Sequence, residues 1–155
     1  MNSRYDSYCG LYCGACEICL MNEIDKIEVK AKEWDMKLSE VKCFGCKTNQ
    51  NSIYCIDCDI KQCAEAKSVD YCLECNEFPC AKIMDFRNDK YPHHSIVLSN
   101  LKTIKEKGLN NWLFEQEKRW KCPKCGVRFT WYDEVCKICG ETLFNCEQEE
   151  KELEI

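Results

Sequence analysis

The feature that most constrains this chain is its cysteine punctuation, with seven Cys-x-x-Cys pairs among 17 cysteines in 155 residues. Each pair places two thiolates on one tight turn, and two such turns complete a tetrahedral four-sulfur shell around an ion. The cysteines fall in three clusters. Cys9, Cys13, Cys16 and Cys19 come first; Cys43, Cys46, Cys55, Cys58, Cys63, Cys72, Cys75 and Cys80 lie in the middle; Cys122, Cys125, Cys136 and Cys139 come last. These make four tetrads and leave Cys146 over.

Disulfides are the competing use of so many thiols. The opening Met1-Asn2-Ser3-Arg4-Tyr5-Asp6 has neither an apolar signal core nor a small-residue cleavage site, and no later stretch has the length and apolarity of a membrane span. The expected location is therefore the cytoplasm, with no membrane partner. Thiols stay reduced there, and an odd cysteine count does not close completely into disulfides.

Metal also answers a shortfall in the core. Hydrophobic residues make up 45% of the chain, but setting the cysteines aside leaves about a third, which is thin for one globular core. A structural zinc site contributes an apparent ~10–16 kcal/mol, comparable with the ~5–15 kcal/mol net stability of a whole domain. The expected fold is a small metal-stabilised α+β structure: an irregular Cys-rich zinc-binding core with two or three helices and a C-terminal zinc ribbon.

Along the chain this divides into a Cys-rich metal-binding domain over residues 1–92, a helical connector over 93–120, a zinc ribbon over 121–146 and a solvated acidic tail over 147–155. Ile24, Ile27, Ala31, Trp34, Leu38 and Val41 recur at helical spacing, predicting one helix over 22–41 with Asn22 as its N-cap. A second helix is expected from Ser95 to Lys107, with Val97, Leu101 and Ile104 inward and Gly108 as its stop. A third, from Asn111 to Arg119, would bury Trp112, Leu113 and Trp120.

The last cluster carries the strongest local signal. Cys122-Pro-Lys-Cys125-Gly126 and Cys136-Lys-Ile-Cys139-Gly140 read as two facing rubredoxin-like knuckles, each with a glycine where the backbone must turn. Residues 127–132 alternate like a strand. Tetrahedral four-sulfur geometry admits iron as well as zinc.

The middle cluster holds an internal repeat: the pattern YCxxCxxxxCA begins at Tyr54 and again at Tyr71, so that residues 55–64 recur as 72–81. With Cys43 and Cys46, its thiols are expected to form two sites, one of Cys43, Cys46, Cys55 and Cys58 and one of Cys63, Cys72, Cys75 and Cys80. Interleaved pairing stays open, as does a simple core role for Cys63 and Cys80.

In the first cluster, Cys9, Cys13 and Cys16 have the CxxxCxxC spacing of radical enzymes that use S-adenosylmethionine. Short length, the absence of a following βα repeat and a fourth thiol at Cys19 count against that chemistry. The tetrad suits zinc or a closed iron–sulfur cluster. Zinc, up to about four ions, is the expected cofactor, with an iron–sulfur cluster as the alternative at Cys9, Cys13, Cys16 and Cys19.

Lys118, Arg119, Lys121, Lys124 and Arg128 stand among Trp120, Phe129, Trp131 and Tyr132, a mixture suited to nucleic acid. Charge argues the other way. The formal net charge is −5, and because each Zn(Cys)₄ site adds two negative charges, four filled sites bring it to about −13. The cations are better read as offsetting the thiolates of their own site. His93 and His94 form an exposed loop pair without matching ligands, Cys146 reads as an inert thiol in the tail, and no catalytic residue is assigned.

The opening CGLYCGAC, the central FGC with CIDCDIKQCA and CLECNEFPC, and the downstream NLKTIKEKGLNNWLFEQEKRWKCPKCG together resemble a cysteine-rich bacterial and archaeal family, domain of unknown function 3795. The resemblance covers about residues 8 to 140. It implies zinc binding and brings no activity or substrate. The expected function is a non-catalytic binding or adaptor module with several structural Cys₄ sites and a protein partner. An iron–sulfur or redox protein of anaerobic metabolism is the alternative, and a nucleic-acid-binding ribbon the third.

Overall fold

The computed structural model describes residues 3–153, and among them the chain is all-helical. The expected α+β class is therefore corrected. Among the described residues, extended pairing is limited to two isolated antiparallel bridges, Lys121 with Arg128 and Val135 with Thr142. Residues 127–132 pair for one bridge only: Val127 and Phe129 bond the Trp120–Cys122 segment on either side of it, and beyond it Trp131 turns to another partner. The Val127 carbonyl closes onto Cys122 N–H, Phe129 N–H donates to Trp120, and Trp131 N–H donates to Ala15 in the first cysteine cluster.

Among the described residues eight α-helices are formed, α1 (Glu17–Glu23), α2 (Ile27–Glu33), α3 (Leu38–Val41), α4 (Asp59–Ala66), α5 (Ala81–Arg87), α6 (Val97–Lys107), α7 (Leu109–Arg119) and α8 (Cys146–Leu153), with short 3-10 turns at Cys13–Ala15, Cys72–Glu74 and Pro92–His94. No helix of the described residues is long and apolar enough to cross a membrane.

The single helix expected over 22–41 is three helices. Asp25 (φ 57°) and Asp35 (φ 54°) adopt the left-handed conformation, and Lys26 N–H and Met36 N–H close onto the carbonyls of Met21 and Ala31, terminating α1 and α2. Ile27, Ala31 and Val41 are buried as expected, whereas Ile24 and Leu38 are exposed. Asn22 is no cap. It is buried inside α1, where its amide donates to the Ile18 and Val41 carbonyls at 2.8 Å and ties α1 to α3.

α6 and α7 meet their expected positions closely. Val97, Leu101 and Ile104 are buried, and Gly108 (φ 86°) ends α6 and opens α7. Trp112, at 1% exposure, lies at the centre of the main core with Tyr12, Ala15, Tyr71, Trp120, Phe129 and Leu143 around it. Tyr12 meets its ring edge-on, with centroids 6.0 Å apart. One core thus gathers residues from the first cysteine cluster, the repeat, the helical pair and the C-terminal knuckles. At about 25 cal/mol per Å² of apolar surface, burying such large rings supplies a major share of the stabilisation left to apolar contacts.

The acidic segment is also structured. Asn145 caps α8 by accepting from Glu147 and Gln148 N–H, while Gln148 accepts from Asn145 N–H. The helix docks through Arg119–Glu149 at 3.0 Å and a Ser95–Glu150 hydrogen bond. Cys146, expected in a tail, is 1% exposed in the core. Residues 154 and 155 of the expected tail lie outside the described residues.

Candidate metal centre

The C-terminal knuckles bring four thiols to one point. Cys122, Cys125, Cys136 and Cys139 have their Sγ atoms all within 4.8 Å of one another. Across the knuckles, Cys122 Sγ is 3.5 Å from Cys139 Sγ and Cys125 Sγ is 3.5 Å from Cys136 Sγ. A tetrahedral ion with bonds of about 2.3 Å separates its sulfurs by about 3.8 Å, so these residues fit such an ion with little movement.

Local backbone chemistry builds each turn. Gly126 (φ 79°) and Gly140 (φ 76°) occupy the left-handed region, and their N–H groups close onto the Cys122 and Cys136 carbonyls at 2.9 Å. The first thiol of each knuckle sits in a cradle of N–H donors. Cys125 and Lys124 N–H lower the Cys122 thiol below its ordinary value, and those of Cys139 and Ile138 hold Cys136 down to about 6. Cys139 takes the opposite direction. Glu141 N–H favours its thiolate, but desolvation and the neighbouring Cys122 and Cys136 thiols push it up to about 12. Donor-cradled sulfur of this kind stabilises the anionic form that metals bind.

Among the described residues, this is the one group of three or more candidate ligands meeting that mutual distance. The other predicted ligands are placed more loosely. Cys9, Cys19 and Cys43 are buried, and Cys13, Cys16, Cys46, Cys55, Cys58, Cys63, Cys72, Cys75 and Cys80 are half-buried. Burial, followed by its neighbours Cys80, Cys63 and Cys75, pushes the Cys72 thiol up to about 12. The repeat is not repeated in form. Cys58 caps α4 and Cys63 lies within it, whereas Pro79 delays the second helix so that Cys80 caps α5.

Four of the five surrounding cations have partners other than thiolate. Arg128 donates to Glu23 at 3.1 Å and to the Gly14 carbonyl at 2.8 Å; Arg119 pairs with Glu149 and Lys121 with Glu117. Lys118 Nζ lies 4.2 Å above the Phe114 ring. His93 stacks on Trp131 with centroids 4.1 Å apart and shares a 2.7 Å hydrogen bond with Tyr132, while His94 pairs with Asp89 at 2.7 Å.

A profile described as protein of unknown function DUF3795 matches residues 5–85, just over half the chain. The chain belongs to this family. No curated protein and no solved structure matches it. The DUF3795 segment is shorter than the expected resemblance, and it carries the twelve cysteines from Cys9 to Cys80. The closed four-cysteine group lies beyond its end.

Sequence spacing had grouped the same four cysteines that the structure brings together. It missed Asn51 and Ser52, which after Cys19 and Gly45 help to hold the Cys43 thiol down, and Lys61, which donates to the Cys46 carbonyl at 2.8 Å. An isolated serine, asparagine or lysine carries no periodic or spacing signal, and only the folded arrangement brings it to a Cys-x-x-Cys turn.

Proposed function

We propose that this DUF3795 protein is a zinc-binding module whose C-terminal site is structural and whose role is binding rather than catalysis. The observation that carries this reading is the mutual approach of Cys122, Cys125, Cys136 and Cys139 within 4.8 Å. Four thiolates fill a tetrahedral shell and leave no open position for water or substrate, which is the pattern of structural rather than catalytic zinc. When bound, the ion supplies a crosslink between the two knuckles. The chain's own contribution is the backbone cradle at Cys122 and Cys136.

A protein partner suits what the knuckles display. Ile138 is 74% exposed at the tip of the second knuckle and Val135 is 55% exposed beside it. Apolar side chains held outward by a rigid turn are suited to a complementary apolar surface.

Elemental analysis of the purified full chain, alongside the Cys122→Ser/Cys136→Ser double variant, tests the metal reading. One zinc fewer per chain is expected in the variant, with a colourless parent. An unchanged metal content overturns the site, and visible thiolate-to-iron absorption overturns zinc.

A further inference from the structure

We propose that the turn over residues 53–56 is a docking surface for an amphipathic helix of a partner protein, its apolar face bordered by lysine or arginine. This rests on the reading of the chain as a binding module and adds a surface apart from the C-terminal knuckles.

The internal repeat supplies the contrast that carries it. In both copies the N–H of the second cysteine closes onto the carbonyl of the first, Cys58 onto Cys55 at 3.3 Å and Cys75 onto Cys72 at 3.1 Å. Matching side chains then meet opposite surroundings. Tyr71 is 9% exposed in the main core, with its hydroxyl on Asp6, and Leu73 packs against the same core. Their counterparts Tyr54 and Ile56 are 67% and 58% exposed. The second turn is covered by a helix: Cys72–Glu74 packs against α6, whose Leu101 and Ile104 belong to that core. At those exposures, no helix of the chain covers Tyr54 and Ile56 in the same way.

The first turn is already held in shape. The Ser52 carbonyl accepts from Cys55 and Ile56 N–H at 3.0 and 2.9 Å, and Ile53 N–H donates to the Glu40 carbonyl at 2.9 Å. That last bond sets the turn beside α3, where Leu38 is also exposed, and the Tyr54 hydroxyl lies 3.6 Å from Met36 Sδ. Ile53, Tyr54, Ile56 and Leu38 thus share one exposed apolar surface. A preset surface loses little conformational entropy when a helix lays its apolar stripe on it.

Charge selects the occupant. Residues 35–40 and 53–59 carry four carboxylates, on Asp35, Glu40, Asp57 and Asp59, against the single lysine Lys37. Asp35, Asp57 and Asp59 are exposed, and none forms an ion pair among the described residues. Pairing with a second molecule of this chain about a two-fold axis would set those carboxylates face to face, in a chain of net charge −5. Lysine or arginine beside the partner's apolar stripe meets them with opposite charge.

The α6 sequence itself, as a synthetic peptide of residues 95–107, is the probe. It carries Val97, Leu101 and Ile104 on one face and Lys102, Lys105 and Lys107 among its other positions. Titrated into the zinc-replete, isotope-labelled full chain, it should give saturable amide NMR shifts centred on residues 36–40 and 53–57. Tyr54→Ser/Ile56→Ser, which removes exposed side chains, should weaken binding at least about tenfold, and so should replacing the three peptide lysines with glutamate. If the serine variant loses its dispersed spectrum, Asp57→Lys in the full chain should show the weakening through charge alone. Absence of saturable shifts, or equal affinity for the lysine and glutamate peptides, overturns the proposal. So does a dimer in sedimentation that Tyr54→Ser/Ile56→Ser disperses, which assigns the surface to a second molecule of this chain. Peptide shifts centred on Val135 and Ile138 overturn it too, but leave the binding reading standing. The zinc content of Cys122→Ser/Cys136→Ser is independent of every one of these results.

Discussion

The Asp6 carboxylate faces the Lys47 ammonium at 3.1 Å, with both side chains almost wholly removed from solvent at 3% and 5% exposure. Asp6 also accepts from Arg4 at 2.8 Å and from the Tyr71 hydroxyl at 2.9 Å, and Lys47 Nζ lies 3.8 Å above the Tyr71 ring. These contacts clamp the N-terminal segment onto both the Cys43–Cys46 turn and the second repeat copy. Burial opposes the Asp6 charge, but Arg4, Tyr71 and Lys47 outweigh it and hold the carboxyl below its ordinary value. Asp6→Ala leaves the lysine charge buried without its anion, at an expected cost of about 3–5 kcal/mol. Denaturant unfolding in zinc-replete buffer checks this. Because the folded carboxyl is the stronger acid, its contribution is complete above the ordinary aspartate range near pH 4 and is lost as pH falls below it.

Gly45 and Gly140 both have positive φ, at 122° and 76°, but differ in surroundings. A Cβ at Gly45 would sit 1.8 Å from the Arg4 carbonyl oxygen, whereas one at Gly140 meets nothing within 4 Å. Gly140→Ala should cost about 1–2 kcal/mol, the left-handed penalty alone. Gly45→Ala should cost more than about 3 kcal/mol, since backbone must move as well. Paired unfolding curves decide, and equal costs would show that the Arg4 segment is not held against this turn.

The knuckles and the α6–α7 pair were legible because their determinants are local. Cys-x-x-Cys-Gly encodes its own turn, and Gly108 follows directly upon the apolar period of α6. The break in the 22–41 period was not legible: Asp25 and Asp35 look like ordinary charged helix residues, and only their left-handed backbone separates α1, α2 and α3. Cys146 was misplaced for a related reason. A polar, acidic stretch has no apolar face to announce docking, and α8 is held by its Asn145 cap and by pairing with Arg119. The grouping of the C-terminal thiols was legible because both turns lie within eighteen residues of each other, whereas in the first two clusters spacing says which thiols share a turn but not which turns meet.

Cys125 is the exposed cysteine of the 17. In chelator-treated protein it should be the first thiol alkylated, and zinc should delay its labelling past that of Cys75, which is half-buried beside Lys67 at 3.4 Å. Peptide mapping at short reaction times reads the order. Cys125 labelling that zinc does not slow would remove it from the metal shell.

His93 offers a pH prediction outside the thiol sites. It is stacked against Trp131, and its Nδ1 shares a hydrogen bond with Tyr132. Burial, then the adjacent His94, pushes the imidazole down to about 3, and Asp89 opposes only weakly. His94 is lowered too, by burial against its hydrogen bond to Asp89. In the unfolded chain His93 has its ordinary value near 6.5, so below that pH the unfolded state takes up a proton that the folded state refuses. Its stabilising contribution is therefore complete above about pH 6.5 and falls away as pH drops toward 3. Two-dimensional NMR of the imidazole should show His93 neutral at pH 5, and His93→Gln should flatten the decline in stability between pH 6.5 and 4.5 relative to the parent. A His93 imidazole that titrates near 6.5 in the folded protein would mean that the Trp131 stack opens freely to water.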